Sequence, residues 1–147
     1  MGWMFNIIKA DKNDFEGIFL LLMQLWVDKK FDKEKLKKAF LSGLEDDAQE
    51  YLVIKYEKQI VGFASLTVRN SLWIEGRIGH IDELIIDQKL RSKGIGTRLM
   101  QELIKLAKTK GCNRIEADTG FQRKRTHKFY ELLGFEKRAY LYSKKLI

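Results

Sequence analysis

Proline is absent from this chain, and cysteine occurs once, at Cys112. Nor is there a serine- or glycine-rich tract, a repeat or a low-complexity run, so nothing marks an internal linker. Residues 1–147 are therefore expected to form one domain. A single cysteine excludes an internal disulfide and fits a reducing compartment. The two histidines, His80 and His127, lack metal-ligand spacing, so no metal is expected. Long apolar runs are also missing. "IFLLLMQLW" falls short of the roughly 18–20 residues that a membrane-spanning helix needs, and Lys9, Asp11, Lys12 and Asp14 break any signal-peptide pattern. A soluble, cytoplasmic protein without a membrane partner is the expectation.

What the chain does have is 45% hydrophobic residues, enough for one core, and a net charge of +8. That charge is unevenly divided. Residues 1–86 carry 12 Lys/Arg against 14 Asp/Glu, giving −2, while residues 87–147 carry 16 against 6, giving +10. The second half is thus suited to an anion. A nucleic-acid module would use that charge with exposed aromatics interleaved among the bases. Here Phe129, Phe135, Tyr140 and Tyr142 follow core-like spacing instead, which argues against a nucleic-acid partner.

Periodicity predicts the order β-α-α-β-β-β-α-β-α-β. "WMFNIIKA" reads as a first strand. "DFEGIFLLLMQLWV" reads as a helix capped by Asp14, and "KEKLKKAFLSG" as a second helix opened by Asp32 and stopped at Gly43. "EYLVIKYE" and "QIVGFASLTVRN" form a hairpin around Glu57 and Lys58, and "GHIDELIID" is a further strand. The strongest helix is "GIGTRLMQELIKLAKTKG", apolar at Ile95, Leu99, Leu103 and Leu106 and stopped by Gly111. "CNRIEAD" is a short strand, "RKRTHKFYELLGF" a helix ending at Gly134, and "EKRAYLYSKKL" alternates as a last strand. The pattern predicts a mixed α/β sheet with helices on both faces.

The segment "RSKGIGT" enters the strongest helix through two glycines. Helix starts offer free N–H groups and the positive end of a dipole, and glycine lets the backbone close on a phosphate. A P-loop is excluded, because G-x-x-x-x-G-K-[ST] has no match. A dinucleotide fingerprint fails as well: its third glycine is Leu99 here, and Asp87 to Lys93 intervene after the strand. A plain flexible loop is the remaining structural reading.

Arg91-Ser92-Lys93-Gly94-Ile95-Gly96 resembles the R/Q-x-x-G-x-G/A signature of the GNAT superfamily of acetyl-CoA-dependent N-acetyltransferases. Phe129-Tyr130-Glu131-x-x-Gly134-Phe135 resembles that family's later helix, and the likeness covers nearly the whole chain. It implies a GNAT-like α/β (α+β) fold, with a mixed, mostly antiparallel central sheet and helices on both faces. It also implies acetyl-CoA as co-substrate, with Leu84, Ile85 and Ile86 pairing to its pantetheine arm. Arg91, Ser92, Lys93, Gly94, Ile95, Gly96 and Thr97 would grip its pyrophosphate. The chain departs from the pattern at Gln88, where proline is frequent, and at Arg123, where the family commonly has an arm-binding asparagine.

By the same resemblance, Tyr130 is the general acid for the CoA thiolate, against a purely structural reading as a core aromatic. Glu83 is the expected base, with Asp82, Asp118 or direct proton loss to water as alternatives, and Asp82 is otherwise a substrate-binding residue; neighbours on a strand face opposite sides, so one of Asp82 and Glu83 at most should enter the site. "QLW", "GFA", "GC" and "DT" are similar to the aminoglycoside 6′-N-acetyltransferase branch, where Asp118 would position an amine. The helices of the less basic half would wall the acceptor site, with Trp26, Glu75, Asp28, Asp32, Glu45, Asp46, Asp47 and Trp73 available to meet a cation. His127 reads as a surface residue and Cys112 as packing. The expected reaction is direct acetyl transfer to a primary amine, on a small molecule or a peptide, by a monomer or homodimer. The competing class is a nucleic-acid-binding or CoA-binding regulatory module without turnover.

Overall fold

The computed structural model describes residues 4–147, so Trp3 of the expected first strand lies outside the described residues. The elements are β1 (Phe5–Lys9), α1 (Phe15–Leu25), α2 (Lys33–Leu44), β2 (Gln49–Tyr56), β3 (Gln59–Ser71), β4 (Gly76–Ile86), α3 (Ile95–Thr109), β5 (Cys112–Ala117) and α4 (Lys124–Leu132). Single 3-10 turns occupy Lys12–Asp14 and Gln88–Leu90. The strands form one sheet in sequence order. Pairing is antiparallel from β1 to β4 and parallel between β4 and β5.

Both sheet faces are covered, as expected. Phe15, Ile18, Leu21 and Leu22 of α1 and Phe40 of α2 pack on Val53, Phe63 and Ile85. On the other face Ile95, Leu99, Met100, Leu103 and Ala107 of α3, with Tyr130 of α4, pack on Ile54, Ala64, Leu66, Val68 and Ile81. Successive strand residues therefore serve opposite cores, which is why the strands read as nearly continuous apolar runs. Leu99, Met100 and Leu103 are fully buried; each such side chain contributes about 1.5–3 kcal/mol. Among the described residues no helix is long and apolar enough to cross a membrane.

The β2–β3 turn uses Glu57 and Lys58, both at positive φ (49° and 70°), the twist a two-residue hairpin requires. Three local expectations are overturned. Asp14 holds the N-cap position of α1, but its side chain makes no capping hydrogen bond to that helix. Its carboxylate accepts from Asp11 N at 2.8 Å and pairs with Lys55 at 3.0 Å, so it closes the preceding turn. Gly43 does not stop α2, which runs to Leu44. A Cβ at Gly43 would stand 1.9 Å from the Tyr51 hydroxyl, so the glycine makes room for that ring, which stacks on Phe40. The segment "EKRAYLYSKKL" forms no strand, and Tyr140 and Tyr142 are exposed. Both of its alternate rows mix lysine or arginine with apolar residues, so neither offers a strip to bury.

Candidate active site

The parallel β4–β5 ladder runs from Arg77↔Cys112 to Ile81↔Ala117 and stops there. β3 continues to pair with β4 as far as Gly62↔Ile86. Among the described residues, Leu84, Ile85 and Ile86 therefore have a strand on one side and none on the other. An unpaired edge presents a row of N–H and C=O groups that an extended, amide-bearing ligand can join as a further strand.

Beyond this edge lies the glycine loop. Gly94 is the N-cap of α3 at φ 78°, and a Cβ there would meet nothing within 4 Å. Open space thus stands over a helix start, beside the exposed Lys93 and the first helical residues Ile95, Gly96 and Thr97. A Cβ on Gly96 would meet Phe129 at an ordinary 3.5 Å, so packing alone does not demand glycine there. The Ser92 hydroxyl accepts from the Arg125 guanidinium at 3.2 Å, which adds a cation from the first turn of α4. Arg91 acts partly as a brace, donating its Nε to the Ile86 carbonyl at 3.0 Å. These residues fit a pyrophosphate: free helix-end N–H groups, two nearby cations and an uncrowded approach.

Next to the open edge is a group of carboxylates. Strand alternation had suggested that Asp82 and Glu83 face opposite ways, and this is corrected. On β3 the consecutive residues Ser65 and Leu66 pair with Glu83 and Ile81, so Asp82 is an extra, bulged residue. The Glu83 carboxylate accepts from the Ser65 hydroxyl and that of Asp82 from Thr67. Ser65 and Thr67 are two apart on one strand, hence on one face. Both acids thus lie on the α1–α2 side. Tyr51, Ser65 and Glu83 form one cross-strand row over β2, β3 and β4.

Burial pushes the Glu83 carboxyl above its ordinary 4.5; the Ser65 bond opposes this, the negative Asp82 and Asp118 add to it, and His80 opposes it. The Tyr51 hydroxyl is raised too, by burial first and then by Glu83, Asp82 and Asp46. Asp118 stands one residue beyond β5, with Oδ1 2.6 Å from His80 Nε2, while Glu116 Oε1 is 3.3 Å from His80 Nδ1. Tyr130 lies on the other side of the sheet, buried among Phe129 and Phe135. Burial, then the charge of Asp118, pushes its hydroxyl up to about 12. The charge of Asp118 therefore bears on both Glu83 and Tyr130.

A pocket of about 600 Å³ is lined by Leu25, Trp26, Val27, Asp28, Lys29, Gln122 and Arg123. The Arg123 guanidinium donates to the Leu25 carbonyl and so bridges α4 to the end of α1. Glu75 is misplaced as an acceptor residue. It sits in the β3–β4 turn, eight residues along the strand from Glu83, roughly 26 Å at the strand rise. Trp73 shares that turn and is exposed, with the Arg138 guanidinium over one face of its ring at 3.9 Å. Asp32 is used as the cap of α2, and Glu45 and Asp47 are exposed. His127 bonds the Gly120 carbonyl at 2.8 Å. Burial raises the Cys112 thiol, the reverse of an activated nucleophile. Sequence reasoning passed over Ser65, Thr67, Tyr51 and Arg125. The signal for the first two was visible, as hydroxyls two apart within the apolar "GFASLTV".

The family model described as "Acetyltransferase (GNAT) family" matches residues 14–135. The chain is 28% identical over 135 residues to the uncharacterized N-acetyltransferase MJ1207 of Methanocaldococcus jannaschii, covering 90% of this chain and 60% of that protein. Over 78 residues it is 35% identical to the glucosamine 6-phosphate N-acetyltransferase of Trypanosoma brucei brucei, covering 52% of this chain and 51% of the relative. It thus spans about half to three-fifths of the length of these two curated relatives. Among solved structures, the aminoglycoside N-acetyltransferase AAC(6')-Iy in complex with CoA has a TM-score of 0.83 at 20% identity, covering 97% of this chain and 95% of that one, a likeness of fold.

Proposed function

This chain belongs to the acetyltransferase (GNAT) family, and on that basis we propose that it transfers the acetyl group of acetyl-CoA directly to a primary amine in a ternary complex. Residues 1–147 act as one catalytic domain in this reading. The observation that carries it is the parting of β4 from β5 after Ile81, which leaves an unpaired strand edge beginning beside the half-buried carboxyl of Glu83. Bound there, acetyl-CoA supplies an acetyl group activated as a thioester.

The residues then divide the work. Ser92, Lys93, Arg125 and the start of α3 take the pyrophosphate, and the backbone of Leu84, Ile85 and Ile86 pairs with the pantetheine arm. Arg91 braces the loop. Glu83 accepts the proton of the acceptor ammonium, directly or through one water; its raised pKa brings it closer to the range in which a base is effective. Asp82 and Asp118 hold the cation. Tyr130 donates a hydrogen bond to the departing sulfur. A phenol at about 12 remains protonated at neutral pH. Handing its proton to a thiolate of ordinary pKa near 8.5 would cost about 5 kcal/mol at ~1.36 kcal/mol per unit. Its help is therefore a hydrogen bond to developing charge more than a completed transfer.

A small cationic amine, such as an aminoglycoside, is the acceptor class that the acidic face favours. The pocket lined by Lys29 and Arg123 favours a second reading, an amine that also carries a phosphate, the class named for the trypanosome relative. A panel of aminoglycosides, polyamines, aminosugar phosphates and peptides, assayed with acetyl-CoA and a free-thiol readout, separates these. Failure to bind CoA, together with salt-sensitive DNA binding, would replace the enzyme reading with a nucleic-acid module. CoA binding without turnover on any amine would leave a regulatory module.

A further inference from the structure

We propose that His80 is a positioning residue of the acceptor site, one that holds Asp118 in place against the acceptor's ammonium group. The proposal rests on the amine-acetylation reading given above. It starts from a mechanical problem. Asp118 follows the last residue of β5, in the loop leading to α4, so no ladder fixes it. Yet it stands where β4 and β5 part, close enough to Glu83 and Tyr130 for its charge to act on both.

His80 supplies the missing restraint. It is the register partner of Glu116 in the parallel ladder, so its ring rises from the sheet on the same face as Glu116. Nε2 reaches Asp118 Oδ1 at 2.6 Å, and Nδ1 reaches Glu116 Oε1 at 3.3 Å. The ring is 26% exposed, so it is shielded but not enclosed. Other charged groups around it are Arg69 of β3, which pairs with Glu116 at 3.6 Å, and Asp82 and Glu83 of β4. Glu116 is thus tied to β3 through Arg69 and forms the fixed end of the clamp; Asp118 is the free end. The Asp118 side chain keeps 46% of its surface exposed, which leaves room for its second oxygen to accept from a ligand. A carboxylate aimed by a neighbouring imidazole binds a cation in one geometry, whereas a loop carboxylate must first be ordered.

The test combines kinetics with spectroscopy. His80→Ala should raise the acceptor KM about tenfold, as expected on losing a hydrogen bond to a charged group. kcat and the KM for acetyl-CoA should stay within about threefold. His80→Gln, whose amide N–H can still donate to Asp118, should recover most of the acceptor affinity and guards against a folding defect in the Ala variant. His80→Ala added to Asp118→Asn should change nothing further, because the first acts through the second. An unchanged acceptor KM in His80→Ala, or additive effects in the double variant, would overturn the proposal. A readout independent of turnover uses the fact that the chain has two histidines. With His127→Gln assigning the spectrum, Asp118→Asn should shift the ring nitrogen signals of His80. Unshifted signals would show that the clamp does not form. If no amine is acetylated, the proposed function fails while the ring signals still decide the clamp.

Discussion

Glu83→Gln exchanges one oxygen for an amide nitrogen and removes one negative charge, with volume and the bond from the Ser65 hydroxyl retained. It should weaken catalysis and strengthen the fold together. A positioned base is worth about 10²–10⁴-fold. Here the loss should lie near 10², about 2.7 kcal/mol of barrier, because Asp82 and Asp118 remain nearby to take part of the proton load. The wild-type rate should fall as pH drops and the carboxylate protonates, with a midpoint above 4.5 because burial raises this group. The Gln variant should lack that limb. The stability effect has the opposite sign. A carboxyl raised in the folded state contributes stability that is full below its unfolded pKa and is lost as pH rises through the folded value. Gln stays neutral and keeps it. The two melting curves should coincide below pH 4.5 and separate in the variant's favour above it, by about 3 °C per kcal/mol for a chain of this size. Stopped assays and thermal melts over one pH series measure both. Superimposable pH–rate curves would move the base to another carboxylate or to water. A lower Tm at neutral pH would refute the buried-charge argument itself.

Tyr130→Phe keeps the ring among Phe129 and Phe135 and should lower kcat by about 10–100-fold, the worth of one hydrogen bond to a developing charge. The KM for acetyl-CoA should barely move, and near-normal kcat would make the tyrosine structural. Gly94→Asp introduces no clash, since its Cβ would point into open space, and aspartate tolerates this left-handed backbone better than most residues. A carboxylate about 5 Å from a phosphate at an effective dielectric near 20 is repelled by about 3 kcal/mol, so calorimetric CoA affinity should drop roughly 10²-fold; unchanged affinity would remove the loop from the site. Gly43→Ala drives a methyl to within 1.9 Å of the Tyr51 hydroxyl. Such overpacking should cost about 1–3 kcal/mol in denaturant titration, and a wild-type midpoint would show that Tyr51 can move aside.

What the sequence made legible was local. Ile95, Leu99 and Leu103 repeat at helical spacing and all are buried in α3, and Gly111 follows that helix at φ 80°. Glu57 and Lys58 fell in the two-residue turn that separates β2 from β3. Where a distant partner competed, the local signal lost. Asp14 was read as a cap because it precedes an apolar helix, but Lys55 and the turn at Asp11 claim its carboxylate. Gly43 was read as a stop because glycine ends helices, but here it answers the Tyr51 ring from another element. The alternation of "EKRAYLYSKKL" was real, yet a strand needs a partner and a face to bury, and alternation reports neither. In the candidate site the glycine loop could be read because all of its residues are consecutive. The row Tyr51, Ser65 and Glu83 could not, because it exists only through the register of three strands.

The same holds for the pairing of Asp82 with Glu83 on one face. In a regular strand two adjacent acids are separated by the sheet, and the rule of alternation is sound physics. The extra residue suspends it at one point. A bulge bends its strand and increases its twist, and a parallel ladder needs its two strands to stay alongside each other. The bulge spans Ile81 to Glu83 on the β3 side, and Ile81 is where pairing with β5 ends on the other side. One irregularity thus accounts for two features of the site. It brings a second carboxylate to the α1–α2 face, and it turns β4 away from β5 so that Leu84, Ile85 and Ile86 keep an open edge. The candidate site lies where the sheet's own hydrogen bonding is interrupted on both sides of one strand.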